Sequence, residues 1–382
     1  MGGGSIVAEK IAKSLLKRGH EVFVITTSDD KTPQELTVGG VETYRLPLNL
    51  YFLPEFHSQN TIKRTLWHLI DLFNINAYKK IKKILKKETP DIVHIHNYRG
   101  LSPLSFKVVK DLNLSMVFTA HDYSPICVRT SLLNGEGQIC EDKNLPCRFY
   151  NWIQKIVIDG KPDVVTAPSR FVLEKLESEC LFQDTEKMIL PNPITPKKDR
   201  TKKAYDTIDI LFVGSLSKHK GPDILIKSFK KISKSNLRLH IVGKGPLEQE
   251  LRRLAGDDPR IRFHGFLRGE ELENMYRMAN LTVLPSIWYD NSPMVIYESF
   301  SNSTPVLASR IGGIPELVID GYNGFLFEPG DVEGLSSLIE KISRDPSILA
   351  ELERGAYDSC KSYDIDEVIK RLEDIYRELK GP

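Results

Sequence analysis

The segment from Leu281 to Val318 constrains the fold of this 382-residue chain more than any other segment. It starts with a short apolar run at 281–284 and continues through a polar loop to Ser292-Pro293. That pair predicts a helix start, with serine as the N-cap and proline at the first helical position. A second apolar run follows at 305–308. A strand, a helix and a strand in this order predict a βαβ unit and therefore a parallel sheet.

The same segment carries two carboxylates with a regular spacing. Asp290 lies in the loop, and Glu298 follows eight residues later, in the second turn of the predicted helix. The first amide groups of that helix, at Met294 and Val295, form an anion seat between them. Carboxylates that bind hydroxyls beside an anion seat suit a sugar nucleotide. The alternative is an ordinary βαβ unit in which Glu298 is only a surface charge.

The segment resembles the donor-site signature of the family 4 retaining glycosyltransferases. Their pattern is two acidic residues separated by seven, then a Pro-Val strand and Gly-Gly-x-Pro-Glu; here these are Asp290, Glu298, Pro305-Val306 and Gly312–Glu316. The family usually has glutamate at the first acidic position, so Asp290 is one methylene shorter. The resemblance implies the GT-B fold, an α/β architecture of two Rossmann-like domains of mostly parallel sheet that face each other across a cleft.

Composition is consistent with this fold class. A hydrophobic fraction of 41% in 382 residues is enough for two domain cores. The net charge of +2 argues against a nucleic-acid partner. No apolar run is long enough for a transmembrane helix, and no signal peptide opens the chain. Five cysteines in a chain of this length predict a reduced, cytoplasmic protein.

Short apolar runs that alternate with helical patterns divide the chain into two domains. We predict an N-terminal acceptor-side domain at 1–190, a Pro-rich and basic linker at 191–207, and a nucleotide-sugar-binding domain at 208–362. The resemblance implies that the C-terminal helix, 363–382, returns to the first domain. The predicted strands are 21–27, 91–96, 115–121, 163–167, 187–190, 208–213, 237–242, 261–264, 281–284 and 305–308.

The chain opens with glycines at Gly2, Gly3 and Gly4, which run directly into an amphipathic helix. A glycine loop that opens a helix is expected after a strand, and here no strand precedes it. Two interpretations stay open: the start was assigned too late, or the first domain lacks its first strand. We favour the former. In the second case neighbouring strand edges would be exposed.

A second glycine loop, from Gly214 to Gly221, follows a predicted strand and opens a helix at Pro222. This geometry seats a phosphate. Lys220 matches the family's lysine on the donor diphosphate, whereas the arginine that commonly follows the first glycine is Ser215 here. A solvated basic loop is the alternative interpretation.

The resemblance assigns further residues to the site. It implies catalytic roles for His121, Asp290, Glu298 and Lys220. The implied donor-binding residues are Gly214, Ser215, Lys220, Gly243, Gly245, Phe266, Leu267, Asn291, Ser292, Met294, Val295 and Glu298. The implied acceptor-side residues are Gly2, Gly3, Gly4, His96, Asn97, His121 and Asp122. Plain αβ turns and satisfied polar residues at strand ends are the alternatives for these positions.

Two other patterns have open interpretations. Cys127, Cys140 and Cys147 lack the close pair that zinc sites usually show, so they indicate either a local insertion or a metal or redox cluster. The lysines of 78–87 predict either a basic helix on an anionic membrane surface, near apolar residues of 66–73, or a solvated helix face. Membrane contact would place the protein on the inner face of the membrane.

The predicted function is a retaining, hexosyltransferase-like transfer of a sugar from a nucleotide diphosphate sugar to a glycan or lipid-linked acceptor, in polysaccharide or glycan assembly. Lysine and helix N-termini replace a metal in this scheme, and no cofactor is expected. A nicotinamide-dependent dehydrogenase is excluded because Gly2–Gly4 does not give the required glycine spacing. A non-catalytic sugar-nucleotide-binding subunit stays open as the alternative. The sequence specifies neither the sugar, the base nor the acceptor.

Overall fold

The protein is described from a computed structural model, which covers residues 3–30, 32–53, 55, 59–197 and 203–381. The chain divides into two compact units. Unit 1 contains 1–131, 141–193 and 365–382, and unit 2 contains 132–140 and 194–364. The C-terminal helix is thus part of unit 1, while the small segment at 132–140 groups with unit 2.

Unit 1 alternates strands and helices, as the apolar runs predict. Its strands are β1 (Phe23–Thr27), β2 (Gln34–Val38), β3 (Val41–Leu46), β4 (Ile92–Ile95), β5 (Ser115–Thr119), β6 (Val164–Ala167) and β7 (Glu186–Ile189). Its helices are α1 (Gly3–Lys17), α2 (Thr61–Leu72), α3 (Ile75–Glu88), α4 (Leu104–Asp111), α5 (Leu145–Ile158), α6 (Arg170–Ser178) and α13 (Ile365–Lys380).

Among the described residues of unit 1, the strands form two separate sheets, in the orders β1-β3-β2 and β4-β5-β6-β7. All pairs are parallel except β2 with β3. β6 is fully buried and β5 nearly so, whereas β1 and most of β4 are only half-buried although their sequences are apolar. Each of these two strands has one paired neighbour in the described chain, β3 and β5 respectively. Within the described residues, β1 and β4 therefore each have one edge without a paired strand.

Unit 2 contains the strands β8 (Ile208–Val213), β9 (Leu237–Val242), β10 (Ile261–Gly265), β11 (Leu281–Leu284), β12 (Val306–Ser309) and β13 (Gly324–Phe327). Its helices are α7 (Pro222–Lys230), α8 (Glu248–Ala255), α9 (Glu270–Met278), α10 (Met294–Ser301), α11 (Val332–Arg344) and α12 (Ser347–Lys361).

The strands of unit 2 form one continuous parallel sheet, which in the described chain has the order β10-β9-β8-β11-β12-β13. The central strands β11 and β12 are fully buried and β8 is mostly so, as expected of a parallel sheet that is covered on both faces. From β8 the chain adds β9 and β10 on one side of the sheet, and it then adds β11, β12 and β13 on the other side. The strand order therefore reverses between β8 and β11. Ligands of open α/β sheets bind at the carboxyl ends of the strands beside such a switch point.

Every strand that the sequence predicts is confirmed, with ends that differ by up to two residues. The sequence did not predict β2, β3 or β13. β2 is exposed along most of its length, so its residues lack the apolar run that marks a strand. It forms a hairpin with β3 through Gly39 and Gly40, which both have positive φ.

Candidate functional site

Lys220, which is half-buried, and Asp290, which is buried, form an ion pair at the carboxyl ends of two adjacent strands. Lys220 lies in the turn after β8 and Asp290 in the loop after β11, and these strands pair in parallel. The Lys220 Nζ is 2.6 Å from Asp290 Oδ2, which also accepts a hydrogen bond from Ser286 Oγ at 3.1 Å. Asp290 is only 5% exposed. The Asp290 carboxylate, on a side chain one methylene shorter than glutamate, therefore accepts hydrogen bonds from two donors.

Trp288 covers the ammonium group of this pair. The Lys220 Nζ lies 4.8 Å from the centroid of the Trp288 ring, a cation–π distance. The His219 ring packs edge-on against Trp288 at 5.2 Å. The indole N–H of Trp288 is buried and has no hydrogen-bond partner among the described residues. Sequence reasoning did not single out Trp288, because an aromatic residue between two predicted elements also suits a core position.

Two glycines permit the backbone approach on which this geometry depends. Gly221 has φ +65° and follows Lys220 directly; a Cβ there would lie 2.0 Å from the carbonyl oxygen of Pro285. Gly312 has φ +62°, and its Cβ would lie 2.2 Å from the carbonyl oxygen of Asp290. The Asp290 carbonyl also accepts the Gly313 amide at 2.8 Å. Only glycine fits these positions without moving the loop.

Glu298 lies in the second turn of α10, as predicted, and accepts a hydrogen bond from the Tyr276 hydroxyl at 2.7 Å. Tyr276 is almost fully buried, and burial, with Glu298 beside it, holds its pKa well above the usual range. The hydroxyl therefore stays a donor that orients one carboxylate oxygen. Sequence reasoning missed Tyr276, which occurs in α9 with the spacing of an ordinary core residue.

The start of α10 differs from the prediction. The helix begins at Met294 rather than Pro293, and Ser292 is not its N-cap. The Ser292 hydroxyl instead lies 2.6 Å from the hydroxyl of buried Tyr297. Pro293 occupies the N-cap position and has no side-chain oxygen. It therefore cannot accept a hydrogen bond from the first-turn amides at Met294 and Val295. Asn291 is buried beside them.

The remaining predicted donor residues lie in turns after β8, β9 and β10. A Cβ at Gly243 would lie 1.8 Å from the Gly214 carbonyl oxygen, and one at Gly245 would lie 2.4 Å from that of Leu216. These turns are therefore locked together by backbone contacts. Ser215 and Phe266 are exposed, whereas Leu267 is half-buried and packs with Val295 in one apolar cluster.

In unit 1, three histidines meet at the ends of β4 and β5. His96 Nδ1 lies 2.9 Å from His121 Nε2, and the two rings stack at 5.2 Å. His94 stacks on His96 at 4.0 Å and is held between the hydroxyls of Tyr376 and Thr119, both at 2.6 Å. We call His94, His96 and His121 the histidine stack.

Burial, with the neighbouring imidazoles, holds the histidine stack in its neutral form. It lowers the pKa of His94 to about 3 and that of His121 to about 4, and it lowers the pKa of His96 well below its usual value. Gly4 packs against His121, because a Cβ on Gly4 would lie 3.0 Å from His121 Cβ and Cγ. Each neutral imidazole can donate one hydrogen bond and accept one.

The other acceptor-side predictions have local structural roles. Asn97 Oδ1 accepts the Arg99 amide at 3.0 Å, and Asp122 Oδ1 accepts the Ser124 amide at 2.8 Å. Burial raises the pKa of Asp122. Gly3 is the first residue of α1, and Gly2 lies outside the described residues. Both Asn97 and Asp122 thus fix turns at strand ends.

The two open patterns are resolved in part. In the described part of the chain, Cys127, Cys140 and Cys147 form no disulfide bonds, and no three potential metal-ligating side chains come together. Three apolar residues of α3, Ile81, Ile84 and Leu85, are buried, whereas Ile75 in its first turn is exposed. None of the described helices is long and apolar enough to span a membrane.

Comparison with known proteins defines the class. The fold is that of GT-B glycosyltransferases: a sucrose-phosphate synthase from Thermosynechococcus elongatus superimposes with a TM-score of 0.73 at 21% identity, over 99% of this chain and 94% of the other. Anabaena HepE, solved in complex with UDP, gives a TM-score of 0.71 at 17% identity, over 98% and 96%.

Sequence models assign the family. The Glycosyltransferase Family 4 model matches residues 1–198, and the Glycosyl transferases group 1 model matches residues 194–359. A D-inositol 3-phosphate glycosyltransferase of Acidothermus cellulolyticus is 32% identical over 99% of this chain and 86% of its own length. An uncharacterized 42.6 kDa protein in the cps region of Klebsiella pneumoniae is 24% identical, over 99% and 96%. The chain belongs to the family 4 glycosyltransferases of group 1.

Proposed function

We propose that this glycosyltransferase moves a sugar from a nucleotide diphosphate sugar to an acceptor hydroxyl with retention of anomeric configuration. The observation that carries the proposal is the Lys220–Asp290 ion pair, which lies at the strand-end switch point of unit 2. A half-buried cation beside a buried carboxylate offers one group for phosphate oxygens and one for sugar hydroxyls. The proposed acceptor is a glycan or a lipid-linked glycan in polysaccharide assembly.

The ion pair can serve both partners at once. An ammonium group has three donor hydrogens, and Asp290 uses only part of that capacity. Lys220 can therefore keep its bond to Asp290 while it donates to the donor diphosphate. Charge-assisted contacts of this kind contribute about 1.5–3 kcal/mol each. The first-turn amides at Met294 and Val295 are proposed to bind the same diphosphate.

Glu298 is proposed to bind the nucleotide ribose, and Asp290 a hydroxyl of the donor sugar. The Tyr276 hydroxyl donates a hydrogen bond to Glu298 at 2.7 Å and so orients the carboxylate. Stabilisation of the departing diphosphate lowers the barrier without a protein nucleophile, and a phosphate oxygen then takes the acceptor proton on the same face. His121 is proposed to line the acceptor as a neutral imidazole.

A thermal-shift screen of UDP, GDP, ADP and dTDP, with their common sugars, tests donor binding. A ligand at 100-fold excess over its dissociation constant raises the free energy of unfolding by about 2.7 kcal/mol. We expect one nucleotide to stabilise the protein and Glu298→Ala to abolish the shift. Glu333→Ala is the matched control, because Glu333 is an exposed glutamate in the first turn of another helix of unit 2.

Transfer is tested with the nucleotide that binds. We expect an α-linked donor to give an α-linked product by NMR, and turnover to persist in EDTA. Lys220→Ala should reduce donor affinity about 10- to 100-fold, whereas Lys231→Ala, which removes a surface lysine of unit 2, should not. Binding with no turnover for any acceptor would favour a non-catalytic subunit. No binding of any nucleotide would overturn the proposal.

A further inference from the structure

Helix α2 carries a line of apolar side chains on the surface of unit 1. Ile62, Leu66, Leu69 and Phe73, the residue that ends the helix, are between 45 and 80% exposed. Their spacing of four, three and four residues puts them on one face of the helix. The opposite side of α2 is the one that packs inward, through Trp67 and Leu72.

Helix α5 repeats the pattern. Leu145, Phe149, Trp152 and Ile156 have the same spacing and are between 58 and 79% exposed. The Phe149 and Trp152 rings stack on each other at 6.0 Å on the surface. The buried residues of α5, Gln154 and Ile158, are on another face. Two aromatic rings exposed together are unusual on a protein surface that has no partner.

The two helices are neighbours. The rings of His68 in α2 and Tyr150 in α5 contact each other edge-on at 5.8 Å. We call the two apolar lines together the docking face; it comprises Ile62, Leu66, Leu69, Phe73, Leu145, Phe149, Trp152 and Ile156. Because each helix already buries another face in unit 1, the docking face is available for a second surface.

Charge on these helices has one sign at the surface. The one acidic residue of α2, Asp71, is buried, and α5 contains no acidic residue. Positive charges accompany the docking face on α2 and α5 and continue on α3, which follows α2 directly; they are Lys63, Arg64, Lys79, Lys80, Lys82, Lys83, Lys86, Lys87, Arg148 and Lys155. An apolar line with cations and without exposed carboxylates complements an anionic lipid surface.

We propose that unit 1 docks on an anionic membrane through the docking face. Leucine, isoleucine and phenylalanine side chains would enter the acyl boundary, and Trp152 suits the interfacial region. The lysines of α3 would attract anionic headgroups, while the buried apolar side of α3 stays in the protein. A lipid bilayer fits better than a protein partner because the exposed charge of the three helices is basic, apart from Glu88 at the end of α3, which pairs with Lys87. This inference concerns unit 1 alone and does not require the proposed transfer reaction.

Co-sedimentation of the full chain with vesicles tests the docking face. We expect binding to vesicles that contain phosphatidylglycerol and little binding to pure phosphatidylcholine. The double variant Leu69→Gln/Trp152→Gln should lose at least about tenfold in affinity. Lys83→Gln/Lys86→Gln should lose about 25-fold at low salt, and less at high salt, because each basic residue near an anionic surface contributes about fivefold.

The matched control is Met278→Gln/Ile319→Gln, which replaces exposed apolar residues of unit 2 and should bind like the wild type. All variants alter exposed side chains, so unchanged thermal midpoints verify folding. Equal binding of anionic and neutral vesicles, or unchanged binding of Leu69→Gln/Trp152→Gln, would overturn the proposal. A dimer in sedimentation equilibrium that disappears in Leu69→Gln/Trp152→Gln would assign the face to a second copy instead. No donor or acceptor is present, so the result is independent of the proposed activity.

Discussion

The candidate sites of the two units differ in what holds their geometry: backbone contacts in unit 2 and side chains in unit 1. Among the described residues of unit 2, one continuous sheet holds turns that are in contact through backbone atoms, at Gly221, Gly243, Gly245 and Gly312. Unit 1 has two separate sheets, and the centre of its candidate site is the histidine stack. Donor-side geometry therefore depends on backbone positions that admit no Cβ, whereas acceptor-side geometry depends on titratable side chains.

This difference predicts different sensitivities. In the proposed function, a rigid backbone scaffold positions the diphosphate group of the donor, and a single added methyl group would disturb that scaffold. A site of buried titratable groups responds to pH through protonation. Unit 1 also exposes the docking face, so its surface is adapted to contacts outside the protein. The experiments below test whether unit 2 depends mainly on backbone contacts and unit 1 mainly on side chains.

The largest expected effect is the pH dependence of unit 1. Burial raises the pKa of Asp71 from 3.8 to about 7, although Arg99 and the Gly100 amide favour its charged form. The protonated carboxyl stabilises the folded state fully below pH 3.8, and this stability is lost as the pH rises through about 7. Asp71→Asn has no such loss. The free energy of unfolding of Asp71→Asn, relative to that of the wild type, should therefore rise by up to about 4 kcal/mol between pH 4 and pH 8.

Urea unfolding, followed by the fluorescence of Trp67 in a Trp152→Phe/Trp288→Phe background, measures this difference for unit 1. Asp91→Asn is the control, because Asp91 is exposed and should show no comparable growth with pH. The comparison with the wild type cancels the opposite contribution of the histidines, whose lowered pKa values remove stability as the pH falls. A constant difference at all pH values would contradict the assignment to Asp71.

The next effect is a backbone clash in unit 2. Gly221→Ala places a Cβ 2.0 Å from the Pro285 carbonyl at positive φ, so we expect a loss of about 3 kcal/mol in the free energy of unfolding. Gly330→Ala is the matched control: its φ is +82°, but its Cβ would meet no atom within 4 Å. It should cost about 1 kcal/mol. Equal losses in the two variants would show that the backbone contact does not matter.

The fold was largely predictable because each central strand is a short apolar run between turn residues. Asp290 and Glu298 were predictable as a pair because a loop and one helix fix their spacing. The Lys220–Asp290 contact follows only from the adjacency of β8 and β11, which the sequence does not state. Tyr276 and Trp288 were missed because their polar roles depend on partners that are distant in sequence. The prediction that Ser292 is the N-cap of α10 was wrong, because its hydroxyl can also hydrogen-bond to another side chain, here the hydroxyl of Tyr297.

A smaller effect concerns the split sheet of unit 1. Strands β1 and β4 have one paired neighbour each within the described residues, whereas β8 and β11 have two. We expect amides of β1 and β4 to exchange hydrogen about tenfold faster than those of β8 and β11. The edge strands β10 and β13 of unit 2 are the internal controls and should behave like β1 and β4. Equal protection of β1 and β8 would indicate that another segment covers the open edges of unit 1.

The smallest expected effect tests whether a side chain also tunes the donor site. Trp288→Phe keeps an aromatic face near Lys220 but weakens the cation–π contact and removes the buried indole N–H. We expect donor KM to rise about threefold, since such contacts contribute about 0.5–1 kcal/mol, while kcat changes less. Trp152→Phe, on the surface of unit 1, is the matched control and should leave KM unchanged. A large fall in kcat with an unchanged KM would mean that Trp288 acts on the reacting atoms rather than on Lys220. The backbone would then not be the main determinant of donor-side geometry.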